Sequence, residues 1–120
     1  MQHSFTISSE NNLLSETFTG DIDMQLIPSI DQTIMADVEF REGLKFLTDL
    51  TAARIPQDYK ELAKIGCLKP EFQVSKHAYV VANDHDFGMV RMMITVSSEN
   101  DNNNVNVFKS RDEAIAWLDE

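Results

Sequence analysis

Residues 105–120, VNVFKSRDEAIAWLDE, hold a strand, a cap and a helix in immediate succession, and this unit shows how the chain must close. Val105, Val107 and Phe108 supply a short buried strand. Ser110 is followed three residues later by Glu113, the capping-box pattern of a helix start. Ile115, Trp117 and Leu118 give the helix an apolar side to lay back across a sheet.

The same alternation runs upstream. In HSFTIS, Phe5 and Ile7 share one face; in LLSETFTG, Leu14, Glu16 and Phe18 share one parity and Leu13, Ser15 and Thr17 the other. Period-two runs predict strands, and the SENN cluster between them predicts a turn, giving an antiparallel hairpin. Gly20 and Asp21 are expected to end the second strand, with Asp21 capping a helix. Ile22, Leu26, Ile30, Ile34 and Val38 then recur at spacings of four. Pro28 interrupts that stripe, where an interior proline costs about 3 kcal/mol. The helix is therefore kinked or starts late, near Ile27, and runs to about Val38.

GLKFLTDL predicts the central strand, with Leu44, Phe46, Leu47 and Leu50 apolar, followed by a loop over TAARIPQDY. A helix begins near Pro56 with Asp58 in its first turn. Tyr59, Leu62, Ala63, Ile65 and Cys67 form its apolar side, and Lys69 and Pro70 mark its end. HAYVVAN is a further buried strand. Asp84 or Asp86 caps the next helix, which runs to about Ser98, and SENDNNN is a polar loop. The order is β-β-α-β-α-β-α-β-α, an α/β mixed sheet in one domain spanning residues 1–120.

Acids outnumber bases by 20 to 10, and the imbalance is uneven. Residues 1–42 hold eight acids and one base, residues 43–79 four and six, and residues 80–120 eight and three. A field of this sign repels phosphate backbones and anionic lipid, which argues against nucleic-acid partners. No stretch of about 18 apolar residues occurs, so no membrane insertion is expected. A lone cysteine excludes an internal disulfide, and a cytoplasmic location is expected.

This order resembles the SpoIIAA-like (STAS) superfamily, and in particular its small stand-alone bacterial members of unassigned biochemistry. The resemblance is carried by FREGLKFLTDLTAA, VVANDHDFGMVRMM and VNVFKSRDEAIAWL. It implies a small mixed sheet with helices packed on it. In the anti-sigma-factor antagonists of that superfamily, a serine in a D-L-S…D-S-S-G-L run is phosphorylated. Asp49, Leu50 and Thr51 match the first part, but the acceptor position falls beside Asp58, in Pro56-Gln57-Asp58-Tyr59-Lys60. The serine phosphoswitch is therefore expected to be absent. Asp58 is read as supporting a helix N-terminus.

No catalytic set emerges. The chain lacks G-x-S-x-G and a P-loop, and Gly20, Gly43, Gly66 and Gly88 are not spaced to cradle phosphate. His85 between Asp84 and Asp86 looks like a metal cluster, but consecutive residues diverge, so a helix-start loop is the reading and no metal or other cofactor is expected. Cys67 is read as a buried structural thiol. Loops after parallel strands are where open α/β sheets bind ligands. The candidate ligand or partner residues are thus Asp49 and Thr51, together with Asp58, Asp84, His85 and Asp86.

FGMVRMMITV carries more apolar residues than one sheet face needs. Met89, Met93 and Val96 form a second stripe beside Phe87, Val90 and Ile94, Met92 adds to the breadth, and Met89, Met92, Met93 and Val96 are expected to make an interaction face. The expected function is a non-enzymatic regulatory or interaction module, homodimeric, with a protein partner. The alternative is a carrier of a small apolar molecule or lipid, in a cavity lined by residues such as Phe46, Tyr79, Phe87 and Met93.

Overall fold

The opening hairpin forms as its alternation predicts. In the computed structural model, which describes residues 1–66, 68, 71–96 and 104–120, β1 (Gln2–Ser8) pairs antiparallel with β2 (Leu13–Asp21). The turn between them places Asn12 at φ 53, a left-handed conformation that asparagine tolerates. Its side chain ties the turn to the rest of the sheet. Asn12 Nδ2 donates to the Gly43 carbonyl at 3.1 Å, and Asn12 Oδ1 accepts from Arg41 Nε at 2.9 Å.

The next helix starts late. Asp21 caps nothing; Asp23 caps a 3-10 turn at Met24–Leu26 that leads into the helix, accepting from the Gln25 N–H at 3.0 Å. The helix α1 then spans Ile27–Met35, which leaves Pro28 in its first turn, where a missing N–H costs nothing. It stops three residues short of Val38, which is 98 % exposed. Asp37 explains the stop: its side chain accepts from the Glu39 N–H at 2.9 Å and offers the backbone an alternative to helix. Asp21 is a strand residue, paired with Arg54 of the next strand in register and by an ion pair of 3.2 Å.

That next strand, β3 (Leu44–Arg54), is longer than its apolar run because β2 pairs with it as far as Asp21–Arg54. Thr51–Arg54, the first part of the expected TAARIPQDY loop, is therefore strand. After it, α2 covers Tyr59–Gly66, β4 covers Val74–Val80, α3 covers Asp84–Thr95, β5 covers Val105–Phe108 and α4 covers Arg111–Leu118. Asn83 caps α3 by accepting from the Asp86 N–H at 2.8 Å, so neither Asp84 nor Asp86 is the cap. Ser110 caps α4 by accepting from the Glu113 N–H. Cys67, the Lys69–Pro70 helix stop and the expected helix end at Ser98 lie outside the described residues, as does all of SENDNNN but Asn104.

The sheet runs β1-β2-β3-β4-β5 in sequence, with every pairing after the hairpin parallel. A strand order that never reverses puts helices of same-handed crossovers on one face. α1, α2 and α3 all lie there, over Leu14, Phe18, Phe46, Leu50, Val105 and Val107. The other face is left to α4, whose Ala114 and Leu118 pack on Leu47, Ala78 and Val80. Lys76 fastens the end of α4: its Nζ donates to the Trp117 carbonyl at 2.9 Å and sits 4.8 Å from the Trp117 ring. Phe46, Leu47 and Thr48 are all buried, as a strand covered on both faces requires.

α3 does not offer a methionine face. Met89 and Met93 are in the core with Leu62, Val81 and Val90. Only Met92 and Val96 of the expected stripe are exposed. The stripe is broad because α3 packs on the sheet and on α2 at once. A lysine at position 89 would be an unpaired buried charge, so Met89→Lys is expected to cost about 3 kcal/mol or more. Met92→Lys is expected to stay within about 0.5 kcal/mol. Urea melts of the two variants test this; similar midpoints would contradict the packing.

Candidate functional site

The parity that carries Leu14 and Phe18 into the core also carries Glu16. It is 7 % exposed, and two more polar side chains share its face, Thr48 at 2 % and His77 at 6 %. A lone buried carboxylate would be costly, so its partners decide whether the fold tolerates it. The parallel register supplies them. Glu16 lies opposite Thr48 across β2 and β3, and His77 lies opposite Phe46, one step along β4.

The bonds form a directed chain. The Thr48 hydroxyl donates to Glu16 Oε2 at 2.6 Å. A hydroxyl has one proton, so the contact of 2.7 Å between Thr48 Oγ1 and His77 Nε2 has the imidazole as donor. At the sheet edge His3 Nε2 reaches Glu16 Oε1 at 2.7 Å, with its ring on Phe18 at a centroid distance of 4.6 Å. On the other side the His77 ring stacks on Tyr79 at 4.2 Å. Four side chains on four strands are thereby joined across the sheet.

Above this row is a cavity of about 140 Å³. Glu16, Thr48, His77 and Tyr79 form its polar floor. Its walls are apolar: Ile27 and Ile30 from α1, Leu62 and Ile65 from α2, and Val90 and Met93 from α3, with Phe18, Phe46 and Phe72 around them. Asp31 of α1 also lies on the lining. Of the four residues expected to line an apolar cavity, Phe46, Tyr79 and Met93 do. Phe87 packs at the edge of the core instead, with Lys109 Nζ 6.0 Å from its ring.

The residues expected to read a ligand or partner lie elsewhere. Asp49 Oδ1 accepts from the N–H and hydroxyl of Thr51, at 2.8 and 2.6 Å. Asp58 accepts from the Lys60 N–H at 2.9 Å and so supports the start of α2. His85 meets the Gln57 side chain, which joins the α3 start to the segment before α2. Asp84 pairs with Lys109, whose hydrogen bond and positive charge hold the Asp84 carboxyl below its usual range. None of Asp49, Thr51, Asp58, Asp84, His85 and Asp86 lines the cavity. The physical reason is the strand order: ligand crevices at strand ends form where that order reverses, and here it does not. Among the described residues no group of three or more His, Cys, Asp or Glu side chains is placed to hold a metal ion. Among them, too, no helix is long and apolar enough to cross a membrane.

The topology and the layering decide the comparison with known structures. The fold is SpoIIAA-like. A solved structure of an uncharacterized DUF3478-family protein from Shewanella loihica PV-4, described as having a SpoIIAA-like fold, superposes with a TM-score of 0.57. The match covers 97 % of this chain and 93 % of that one at 17 % identity, a likeness of fold alone. No family model matches the sequence, and no curated protein matches it.

Glu16, Thr48 and His77 were not among the expected site residues. Their signal is a polar residue on the apolar parity of a strand, readable at Glu16 between Leu14 and Phe18. Thr48→Val keeps the shape and removes the hydroxyl that bridges the other two. It leaves a buried acceptor and a buried donor without their partner, and is expected to cost about 1–3 kcal/mol. Equilibrium unfolding checks this; an unchanged or raised stability would contradict the bridging role.

Proposed function

We propose that this protein is a non-catalytic binding domain for a small apolar molecule, held between the sheet and α1, α2 and α3. The observation that carries this reading is the cavity of about 140 Å³ whose lining is mostly apolar, with the polar groups Glu16, Thr48, His77 and Tyr79 gathered on the sheet floor. Few convergent polar groups in an apolar pocket are the usual form of a small-molecule site. An apolar cavity of about 150 Å³ holds benzene. The space thus suits a single ring or a short branched chain and is small for a lipid acyl chain.

The reading also gives α3 a part. Val90 and Met93 touch the cavity, while Met92 and Val96 of the same helix face outward. Occupancy would be felt on the outer side through this helix, and a protein partner or a second copy of the chain would read it there. With no serine in Pro56-Gln57-Asp58-Tyr59-Lys60, where the antagonists that the chain resembles carry their phosphorylated serine, a bound molecule rather than a phosphate would be the signal.

Toluene titrated into the labelled protein tests the cavity. Amide shifts are expected at Ile27, Ile30, Ile65 and Val90, with saturation. Ile30→Trp, which fills the space, is expected to weaken binding at least about tenfold, or 1.4 kcal/mol, while the thermal midpoint stays within a few degrees. An absence of shifts, or equal binding by the variant, would contradict the proposal.

A further inference from the structure

The sheet ends in β1 on one side and in β5 on the other, and the two edges are built differently. β5 is four residues long and runs straight into Lys109. β1 is seven residues long and pairs with β2 over its whole length without a bulge; among the described residues it pairs with no other strand. A strand edge presents a row of backbone N–H and C=O groups that another strand can meet. Proteins that keep such an edge solitary blunt it with charge, proline, a bulge or shortness. β1 has none of these. Residues 1–9 are the longest stretch of the chain without Asp, Glu, Lys or Arg, in a molecule of net charge −10. Apolar surface lies beside the same edge. Phe5 and Ile7 of β1 are only half-buried, and so are Met35 and Phe40, which pack on the same cluster of Leu14, Ile34 and Phe46.

We infer that the β1 edge pairs with the β1 edge of a second copy of this chain, antiparallel about a two-fold axis normal to the sheet, so that two five-stranded sheets become one. Symmetry and charge select this occupant. An antiparallel edge is complementary to itself under a two-fold axis. That axis keeps each face on its own side. Phe5 and Ile7 of both copies then lie together on the side of α1, and Ser4 and Thr6 lie together on the other face. Two acidic copies repel over most of their surface, and β1 is where they meet without opposing like charges. An edge of seven residues is about 23 Å long, which suits a small interface of micromolar affinity. None of Ser4, Phe5, Thr6 and Ile7 lines the cavity, so the pairing stands or falls apart from the binding reading.

Sedimentation equilibrium of the full chain over a rising concentration series tests this. The mass is expected to climb from that of one chain to that of two and to stop there. A mass that stays at one chain up to millimolar concentration, or that grows past two, overturns the inference. Thr6 is exposed, so Thr6→Lys is expected to leave the thermal midpoint of the dilute chain within a few degrees. The lysine lowers the net charge and eases the general repulsion, yet it sets like charges beside each other across the pairing. The dissociation constant is expected to rise at least about tenfold. Thr6→Glu is expected to weaken pairing as well, and an equal mixture of the two variants to recover it, because opposite charges then meet. Should the Thr6 variants fail to fold, Ser4→Lys and Ser4→Glu, at the neighbouring exposed position, repeat the comparison. Pairing undisturbed by the folded variants, or not recovered in their mixture, would overturn the inference.

Discussion

A carboxylate on the apolar face of a sheet must be met by donors, and here the side chains of the neighbouring strands meet it. Glu16 sits among Leu14, Phe18 and Phe46, where an unmet charge would cost more than most single contacts supply. Thr48 and His3 meet it directly, and His77 completes the row through Thr48. The row spans β1, β2, β3 and β4. A slip of one residue in any of those pairings would turn its members to opposite faces. The hydrogen bonds thus specify register, a task that apolar side chains of similar shape perform less sharply. Their net contribution to stability is modest, because they replace bonds to water.

The same row shapes the space above it. Helices α1, α2 and α3 share one face because the strand order proceeds without reversal, and three helices on one face bury a wide apolar surface. Apolar side chains of α2 and α3 meet one another through Leu62, Val90 and Ile94. Over Glu16, Thr48 and His77 they have no apolar counterpart to pack against, and that is where the cavity lies. The opposite face is packed differently. Leu47, Ala78 and Val80 there take one small helix, α4, with Ala114 fitted against them.

Local pattern made much of this architecture legible. The element order, the late start of α1 after Pro28 and the closing strand, cap and helix all rest on spacing and capping chemistry within a few residues of each other. Tertiary pairing decides the parts that local pattern does not show. The strand continues through Thr51 to Arg54 because β2 lies beside it, which nothing within TAAR reveals. Val38 continues a stripe of four in the sequence after the helix has ended at Met35. Met89 and Met93 look like surplus apolar residues until α3 is seen to pack on two neighbours. The candidate site was the least legible part. Asp49, Asp84 and Asp86 were conspicuous because polar residues cluster at strand ends, whereas Glu16, Thr48 and His77 are each single residues in apolar runs. Only the parallel register joins them.

The central claim is that a directed hydrogen-bond chain, with His77 Nε2 as its donor end and Glu16 as its acceptor end, lies buried beneath the cavity. Long-range nitrogen–proton correlation spectra of the imidazole rings test it most directly. The account predicts that His77 carries a proton on Nε2 and that the Thr48 hydroxyl proton exchanges slowly enough to be observed. A neutral His77 with its proton on Nδ1, and a Thr48 hydroxyl in fast exchange with water, would contradict it.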